Sequence, residues 1–182
     1  RINCKDQRNT KPGIIMNIRE FIIDNKNEIS RLWFDETVKS YRDKSAGFLA
    51  RSDRRFTNPA GSAINDAVMD LAEYLAGKKT LEEIKGSLEH FIRLRAVQDY
   101  YPSEALRPIF AVKEIVADLC GIRDYTINET QMNDFLIRVD NLMLHAFDIY
   151  MESREKIFRI QAGEQKRTFE RAVNKINKKY GL

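Results

Sequence analysis

The chain has 182 residues, of which 43% are hydrophobic and 32% are charged. This length and balance are typical of a single folded domain with its own core. No apolar run reaches the roughly 20 residues that a membrane-spanning helix needs, and residues 1–15 lack the apolar centre of a secretory signal. The net charge of +4 lies at the two ends, because residues 1–15 carry +3 and residues 164–182 carry +4. The centre is therefore mildly acidic, and nucleic acid is not an expected partner.

Both ends of the chain are interpreted separately from its centre. Residues 1–16 are predicted to be a disordered or vector-derived tail, because Met16 is a plausible natural start. Residues 17–163 are predicted to form the folded domain, and residues 164–182 a basic C-terminal helix that acts as a linker or dimerisation segment. Cys120 is then the one cysteine of the folded part, so that no disulfide framework is expected and a reducing cytoplasm is the simplest location.

The first half of the centre carries clear signals for two helices. Apolar residues at helical spacing predict a helix from about 17 to 41, and a loop with a basic cluster at 51–55 follows. Asn58 and Pro59 are typical of an N-cap and a first helical position, and they predict a second helix that Gly77 ends.

Two further helices follow in the sequence. Thr80 and Glu83 form a capping-box sequence, which predicts a third helix from about 81 to 99. Pro102 opens a fourth helix, in which Pro108 lacks a backbone N–H and is expected to bend the first turns. Gly121 is expected to end this helix.

The remaining sequence predicts one long helix. Thr126 and Glu129 are a second candidate capping box, and the helical pattern continues from there to about residue 179. Unbroken, this helix would be about 75 Å long, so that it must bend near Gly163 or project from the domain. No strand alternation is present. We therefore predict an all-α fold, a single domain of about five to seven helices with a long C-terminal helix.

Charged residues inside apolar segments are the most unusual feature of the sequence. They are expected to be buried, and because a buried charge without a partner costs several kcal/mol, they are predicted to pair. The predicted network bridges the third and fifth helices, and it is either structural or part of a binding site. Its members are Arg93, Arg95, Asp140, Asp148 and Arg154. Because Arg93 and Arg95 are two residues apart, at most one of them is expected to reach any one carboxylate.

Two histidines are the candidate ligand-binding residues. His90 lies opposite the apolar stripe of its helix, as an ordinary polar-face residue does, but apolar residues near the helix end leave open an axial haem ligand. His145 lies in a segment that is apolar nearly all round, which favours a hydrogen-bonded core histidine. The sequence has no cluster at metal-ligand spacing and no nucleophile or phosphate-binding motif, so that no metal, cofactor or catalytic residue is predicted.

The C-terminal segment carries apolar residues at alternating spacings of four, three and four residues, namely Phe169, Val173, Ile176 and Tyr180. This spacing on a basic helix is typical of a coiled coil and favours dimerisation through the segment. A solvated or back-packed terminal helix is one alternative, and contact with nucleic acid or a membrane is another.

Three segments in this order resemble one known family. They are NPAG at 58–61, IRLRAVQDYYPSEA at 92–105 and VDNLMLHAFDIYMESREKI at 139–157. Together they resemble the N-terminal domain of the RsbT co-antagonist stressosome proteins, of the RsbR and RsbRD type, over about residues 17–166. The resemblance implies a globin-like fold that lacks haem, dimerisation, and signal input to bacterial stress regulators.

The resemblance therefore predicts a non-catalytic sensory input domain at 17–163. This domain is expected to act as a cytoplasmic homodimer and to bind another protein of a signalling complex. In the family a long final helix usually leads to a phosphorylatable STAS output domain; since no such domain follows in the 182 residues, a fragment or a stand-alone member is expected. The alternative is a globin-like protein that binds haem or another small molecule, with His90 as the ligand.

Overall fold

A computed structural model describes residues 14–41, 58–98, 100–123 and 125–181. These residues form six α-helices and two short strands, in the order β1 (Ile14–Met16), α1 (Ile18–Asp24), α2 (Lys26–Lys39), α3 (Pro59–Leu75), α4 (Leu81–Ala96), α5 (Pro102–Ile122), β2 (Tyr125–Ile127) and α6 (Glu129–Tyr180). The predicted all-α class and long C-terminal helix are confirmed. None of these helices is long and apolar enough to cross a membrane. The predicted basic cluster at 51–55 lies outside the described residues, as does most of the predicted N-terminal tail.

The helix boundaries follow the predicted caps at several places. The side chain of Asn58 accepts a hydrogen bond from the N–H of Gly61 at 2.9 Å, and this cap starts α3. Thr80 and Glu83 form the predicted capping box at the start of α4. Gly77, just after α3, has a φ of 75°, a left-handed conformation that glycine adopts without strain. These local predictions are confirmed.

The predicted first helix is divided in two at Asn25. This residue caps the end of α1 and precedes α2, and its side-chain amide donates to the carbonyl of Phe21 at 2.8 Å. The backbone N–H of Asn25 donates to the same carbonyl at 3.1 Å, so that backbone and side chain together cap the end of α1.

Two predictions near the start of α6 are wrong. Thr126 does not cap the helix but lies in β2, and Asn128 is the N-cap, accepting from the N–H of Thr130 at 2.8 Å. The two strands pair in parallel, with Ile15 opposite Thr126, although no strand was predicted. Each strand has three residues, which is too short to show an alternating pattern. This pairing joins residues 14–16, which were assigned to the tail, to the fold.

The core lies between α6 and the layer of helices that precedes it. α3 packs against α2 and α4, and the first half of α6 packs across α4 and α5. Trp33 of α2 is fully buried, and its indole N–H donates to the carbonyl of Pro108 in α5 at 2.6 Å. Other large buried side chains come from α1, α4 and α6, namely Phe21, Phe91, Phe135 and Tyr150.

α6 passes through Gly163 without a break and projects from the core. It has 52 residues, which corresponds to about 78 Å. Its buried residues extend only from Phe135 to Tyr150, and from Phe158 onward almost every residue is exposed. The sequence allowed either a bend near Gly163 or a helix that projects from the domain, and the structure shows the projecting helix.

Candidate functional site

Arg95, near the end of α4, is a fully buried arginine that joins three helices. Its Nε–H donates to the carbonyl of Ala105 at 3.0 Å, and Nη2 donates to the carbonyl of Glu104 at 2.9 Å. Its Nη1 donates to the hydroxyl of Ser40, the residue that caps the end of α2, at 2.9 Å. The guanidinium therefore connects the C-terminal ends of α2 and α4 with the first turns of α5.

Two tyrosine rings cover the guanidinium of Arg95. Its Cζ lies 4.6 Å from the ring centroid of Tyr41 and 4.9 Å from that of Tyr100, distances at which a cation is attracted to an aromatic face. Burial raises the pKa of Tyr41, and the nearby positive charge of Arg95 opposes that rise. No carboxylate of the described residues forms an ion pair with Arg95. Among the described residues, carbonyls, a hydroxyl and aromatic faces surround the guanidinium in place of the predicted carboxylate.

Pro108 explains why the carbonyl of Glu104 is open to Arg95. In an α-helix that carbonyl would accept from the N–H four residues later, which a proline does not have. The Nη2 group of Arg95 supplies the missing donor, and α5 continues through Pro108 as one helix. The expected disturbance by Pro108 is therefore compensated by a side chain from the neighbouring helix.

The side of α6 that faces away from the core carries a second apolar surface, which we call the outward stripe. Its members lie within roughly 80° of the helix circumference, at 100° per residue. They are Ile137, Leu144, Phe147, Met151, Phe158, Phe169, Val173, Ile176 and Tyr180, each at least 36% exposed. The stripe starts beside the core and reaches the end of the helix. The predicted dimerisation residues from Phe169 to Tyr180 are its last part.

The chain matches the family described as RsbT co-antagonist protein rsbRD N-terminal domain over residues 27–165. The chain belongs to this family. The matched range contains α3, α4 and α5 completely, together with the part of α6 that packs on the core. Membership implies a stressosome-type signalling input domain, from a family not known for catalysis. No curated protein and no solved structure matches the chain.

In this RsbRD-type domain, the five predicted network residues do not form one ion-pair network. Arg93 is exposed and pairs with Glu89 on its own helix at 2.8 Å. Asp140 is exposed and pairs with Lys113 at 2.7 Å. Arg95 alone among the five is fully buried. The predicted network is therefore wrong as a set, although the expectation that Arg93 and Arg95 diverge is correct.

The last two predicted members, Arg154 and Asp148, lie on α6 on opposite sides of the outward stripe. Arg154 bridges α6 to α4, as predicted for this pair of helices, but its acceptor is the carbonyl of Ala96 at 3.2 Å and not a carboxylate. Asp148 is exposed and has no ion-pair partner among the described residues. The apolar neighbours that suggested burial of Asp148 include Phe147, which belongs to the outward stripe. The part of α6 around Asp148 is apolar nearly all round because it has two apolar faces, one toward the core and one toward solvent.

An ion cluster that the sequence analysis missed joins α2 and α3 to the turn before α4. Glu73 pairs with Lys26 and with Lys79, each at 2.8 Å, and Lys79 also pairs with Asp70 at 2.6 Å. Asp70 further accepts a hydrogen bond from Ser87 of α4. The spacing of Asp70 and Glu73 on one helical face was the available signal, but nothing in the sequence placed Lys26 beside them.

Acid titration will distinguish Glu73 from an ordinary surface carboxylate. Hydrogen bonds from Lys26 and Lys79 hold its pKa at about 2, against an ordinary 4.5. Because the pKa is lower in the fold than in the unfolded chain, the stabilisation is complete above pH 4.5 and is lost as the pH falls toward 2. We expect Glu73→Gln to lower the free energy of unfolding at pH 7 by about 1 kcal/mol, a value reduced for partial solvent exposure.

The measurement is urea unfolding of the unaltered chain and of Glu73→Gln between pH 7 and pH 2.5. The difference between the two proteins should shrink as the pH falls below 4.5. Glu82→Gln is the matched control, because Glu82 is 85% exposed and its nearest cation, Lys85, is 3.9 Å away. A constant difference between the unaltered chain and Glu73→Gln across this range would contradict the assignment.

The two histidines both lie at the surface. His90 is exposed on α4, in line with its polar-face interpretation. His145 is exposed on α6 and lines a groove with Asp148 and Glu152, so that the prediction of a core histidine is wrong. Its apolar neighbour Leu144 belongs to the outward stripe and not to the core. Within the described residues, no group of three or more histidine, cysteine and carboxylate side chains is arranged to hold a metal ion.

Haem titration tests the candidate role of His90 directly. Since the His90 side chain is exposed, we expect added haem to give the same absorption spectrum with the unaltered chain and with His90→Ala. A Soret band that His90→Ala removes and His145→Ala leaves in place would show that His90 ligates haem after all.

Proposed function

We propose that this domain is a non-catalytic sensory input module of a bacterial stress-signalling complex, which acts in the cytoplasm as a homodimer paired through α6. In this proposal residues 17–163 form the sensing domain, with helices arranged as in globins that lack haem. Residues 164–182 form the segment that carries the signal onward to a protein partner. Family membership supports the signalling role, and the outward stripe supports the pairing.

The outward stripe is the observation that carries the proposal. A helix on the surface of a domain needs one apolar face, which in α6 is formed by Val139, Leu142 and Ala146. The stripe adds a second apolar face on the opposite side, where Leu144 is 64% and Phe158 is 60% exposed. Clusters of exposed apolar side chains of this kind are typical of protein–protein contact.

A second copy of the chain is the partner that best fits the stripe. Phe147, Phe158, Phe169 and Tyr180 follow one another at intervals of eleven residues. An eleven-residue repeat keeps apolar side chains on one side of an almost straight helix, as in long paired helices. Because most positions on this side of α6 are apolar, the face can be complementary to itself across a two-fold axis. The family resemblance independently implies a dimer.

The contacts between α6 and the rest of the domain support a route for the signal. Tyr150 donates its hydroxyl to the carbonyl of Tyr100 at 3.0 Å, and Arg154 donates to the carbonyl of Ala96 at 3.2 Å. Both acceptors lie at or beyond the end of α4, next to the aromatic cover of Arg95. A change in the α4–α5 connection would therefore move the end of the core-packed part of α6 and, with it, the projecting helix.

The experiment that tests the proposal is purification from native cells of two copies of the chain that carry different tags. Capture through one tag should also recover the other copy, at about half the amount of the captured copy if the two pair at random, together with a protein that contains a STAS domain. Recovery of the captured copy alone would contradict both parts of the proposal. An experimental structure whose helices do not superpose on a globin would contradict the expected fold likeness.

A further inference from the structure

A cleft between the α4–α5 connection and α6 has the composition of a small-molecule site. Its volume is about 530 Å³, within the range of roughly 300–1,000 Å³ that is usual for ligand pockets. Four aromatic rings, one thioether and one guanidinium face it, contributed by Tyr100, Tyr101, Tyr150, Phe158, Met151 and Arg154. The lining contains no carboxylate among the described residues.

We infer that this cleft binds a small planar aromatic carboxylate. The inference rests on the proposed function, because it names the chemical class of the signal that the input domain receives. Aromatic walls favour a flat apolar ring system, and a guanidinium that has no ion-pair partner among the described residues favours an anion.

Arg154 supplies the anion specificity. Its Nη1 donates to the carbonyl of Ala96 at 3.2 Å, and its Cζ lies 5.3 Å from the ring centroid of Phe158, so that two contacts orient the group. No described carboxylate lies within ion-pair distance of it, and the side chain is only half-buried. A ligand carboxylate can therefore accept from the remaining N–H groups, with the geometry that guanidinium and carboxylate share.

The cleft lies between the cluster around Arg95 and the outward stripe. Tyr100 lines the cleft and also covers the guanidinium of Arg95. Met151 and Phe158 line the cleft and also belong to the outward stripe. A bound ring would therefore contact the buried arginine cluster on one side and the proposed pairing face on the other.

The test uses 2-naphthoate and its uncharged analogue 2-naphthamide, titrated into the full chain and followed by calorimetry and by NMR. We expect 2-naphthoate to bind at least tenfold more tightly than 2-naphthamide. Arg154→Gln should remove that difference, whereas Arg167→Gln, an exposed position further along α6, should preserve it. Tyr101→Ser, which changes a side chain that is 76% exposed, should weaken both probes without affecting the core.

Absence of 2-naphthoate binding, or equal affinity for the two probes, would overturn the inference, and so would binding that neither Arg154→Gln nor Tyr101→Ser weakens. The same titration on Phe169→Glu, which lies outside the cleft and should break the dimer, separates the two proposals. An unaltered chain that is monomeric but still prefers 2-naphthoate supports the site and contradicts the pairing, whereas a monomeric Phe169→Glu variant that keeps the preference supports both. A dimer that binds neither probe contradicts the site and leaves the pairing intact.

Discussion

Replacement of Arg95 by methionine is expected to lower the free energy of unfolding by about 3 kcal/mol. The substitution removes the donors to the carbonyls of Glu104 and Ala105 and to the hydroxyl of Ser40. The carbonyl of Glu104 loses the most, because Pro108 provides no backbone N–H to replace the guanidinium. Methionine has a similar length but cannot donate a hydrogen bond. Removing the charge also removes its own cost of burial, which keeps the expected loss from being larger.

Arg93→Met is the matched control for this prediction. It changes the same residue type two positions away on α4, but the Arg93 side chain is 61% exposed and its ion-pair partner among the described residues is Glu89 on the same helix. We expect this change to alter stability by less than about 0.5 kcal/mol. Urea unfolding of both variants measures the difference. Equal effects of the two substitutions would mean that the hydrogen bonds of Arg95 do not stabilise the junction of α2, α4 and α5.

Arg95→Lys tests whether the positive charge alone, without the shape of the guanidinium, stabilises the junction of α2, α4 and α5. Lysine retains the positive charge but cannot direct donors at three acceptors in one plane. We therefore expect Arg95→Lys to recover only a minor part of the stability that Arg95→Met loses. Full recovery would indicate that charge near the ends of α2 and α4 is sufficient.

Phe158→Glu is expected to weaken the proposed dimer at least 100-fold, which corresponds to about 2.7 kcal/mol. Phe158 lies near the middle of the outward stripe and is 60% exposed in the single chain. The substitution would place a carboxylate from each copy in the apolar pairing face, where burial of an unpaired charge is unfavourable. The fold of one chain should tolerate it, because this side chain is outside the core. Sedimentation equilibrium measures the dissociation constant.

Ile160→Glu is the control for the pairing face. Ile160 is 54% exposed on the same helix, but it lies on the opposite side from Phe158. We expect the dimer to be unaffected by this change. A similar loss of association in both variants would assign the effect to added negative charge and not to the stripe.

The local parts of the fold could be predicted from the sequence. The caps at Asn58 and Thr80 and the stop at Gly77 depend on a few adjacent residues, whose chemistry is readable without the rest of the chain. The division at Asn25 was missed because the apolar pattern continues across it. The strand pairing was missed because each strand is only three residues long and the two are distant in sequence.

The candidate site was predicted less well, for a reason that lies in α6. Apolar residues all round this helix were interpreted as burial, which led to a core position for His145 and a paired, buried Asp148. Both are exposed, because a large part of that apolar surface is the outward stripe. Sequence periodicity detects an apolar face but does not say whether a core or a second molecule covers it. The burial of Arg95 was predicted correctly, whereas its carbonyl acceptors depend on packing that no sequence pattern records.

Hydroxyl-radical footprinting of the unaltered chain at rising protein concentration tests the central claim most directly. The claim is that a second copy covers the outward stripe. Oxidation of Met151, Phe158 and Phe169 should fall as the dimer forms, while oxidation of Ile160 stays constant. Equal oxidation of all four side chains at low and high concentration would contradict the claim.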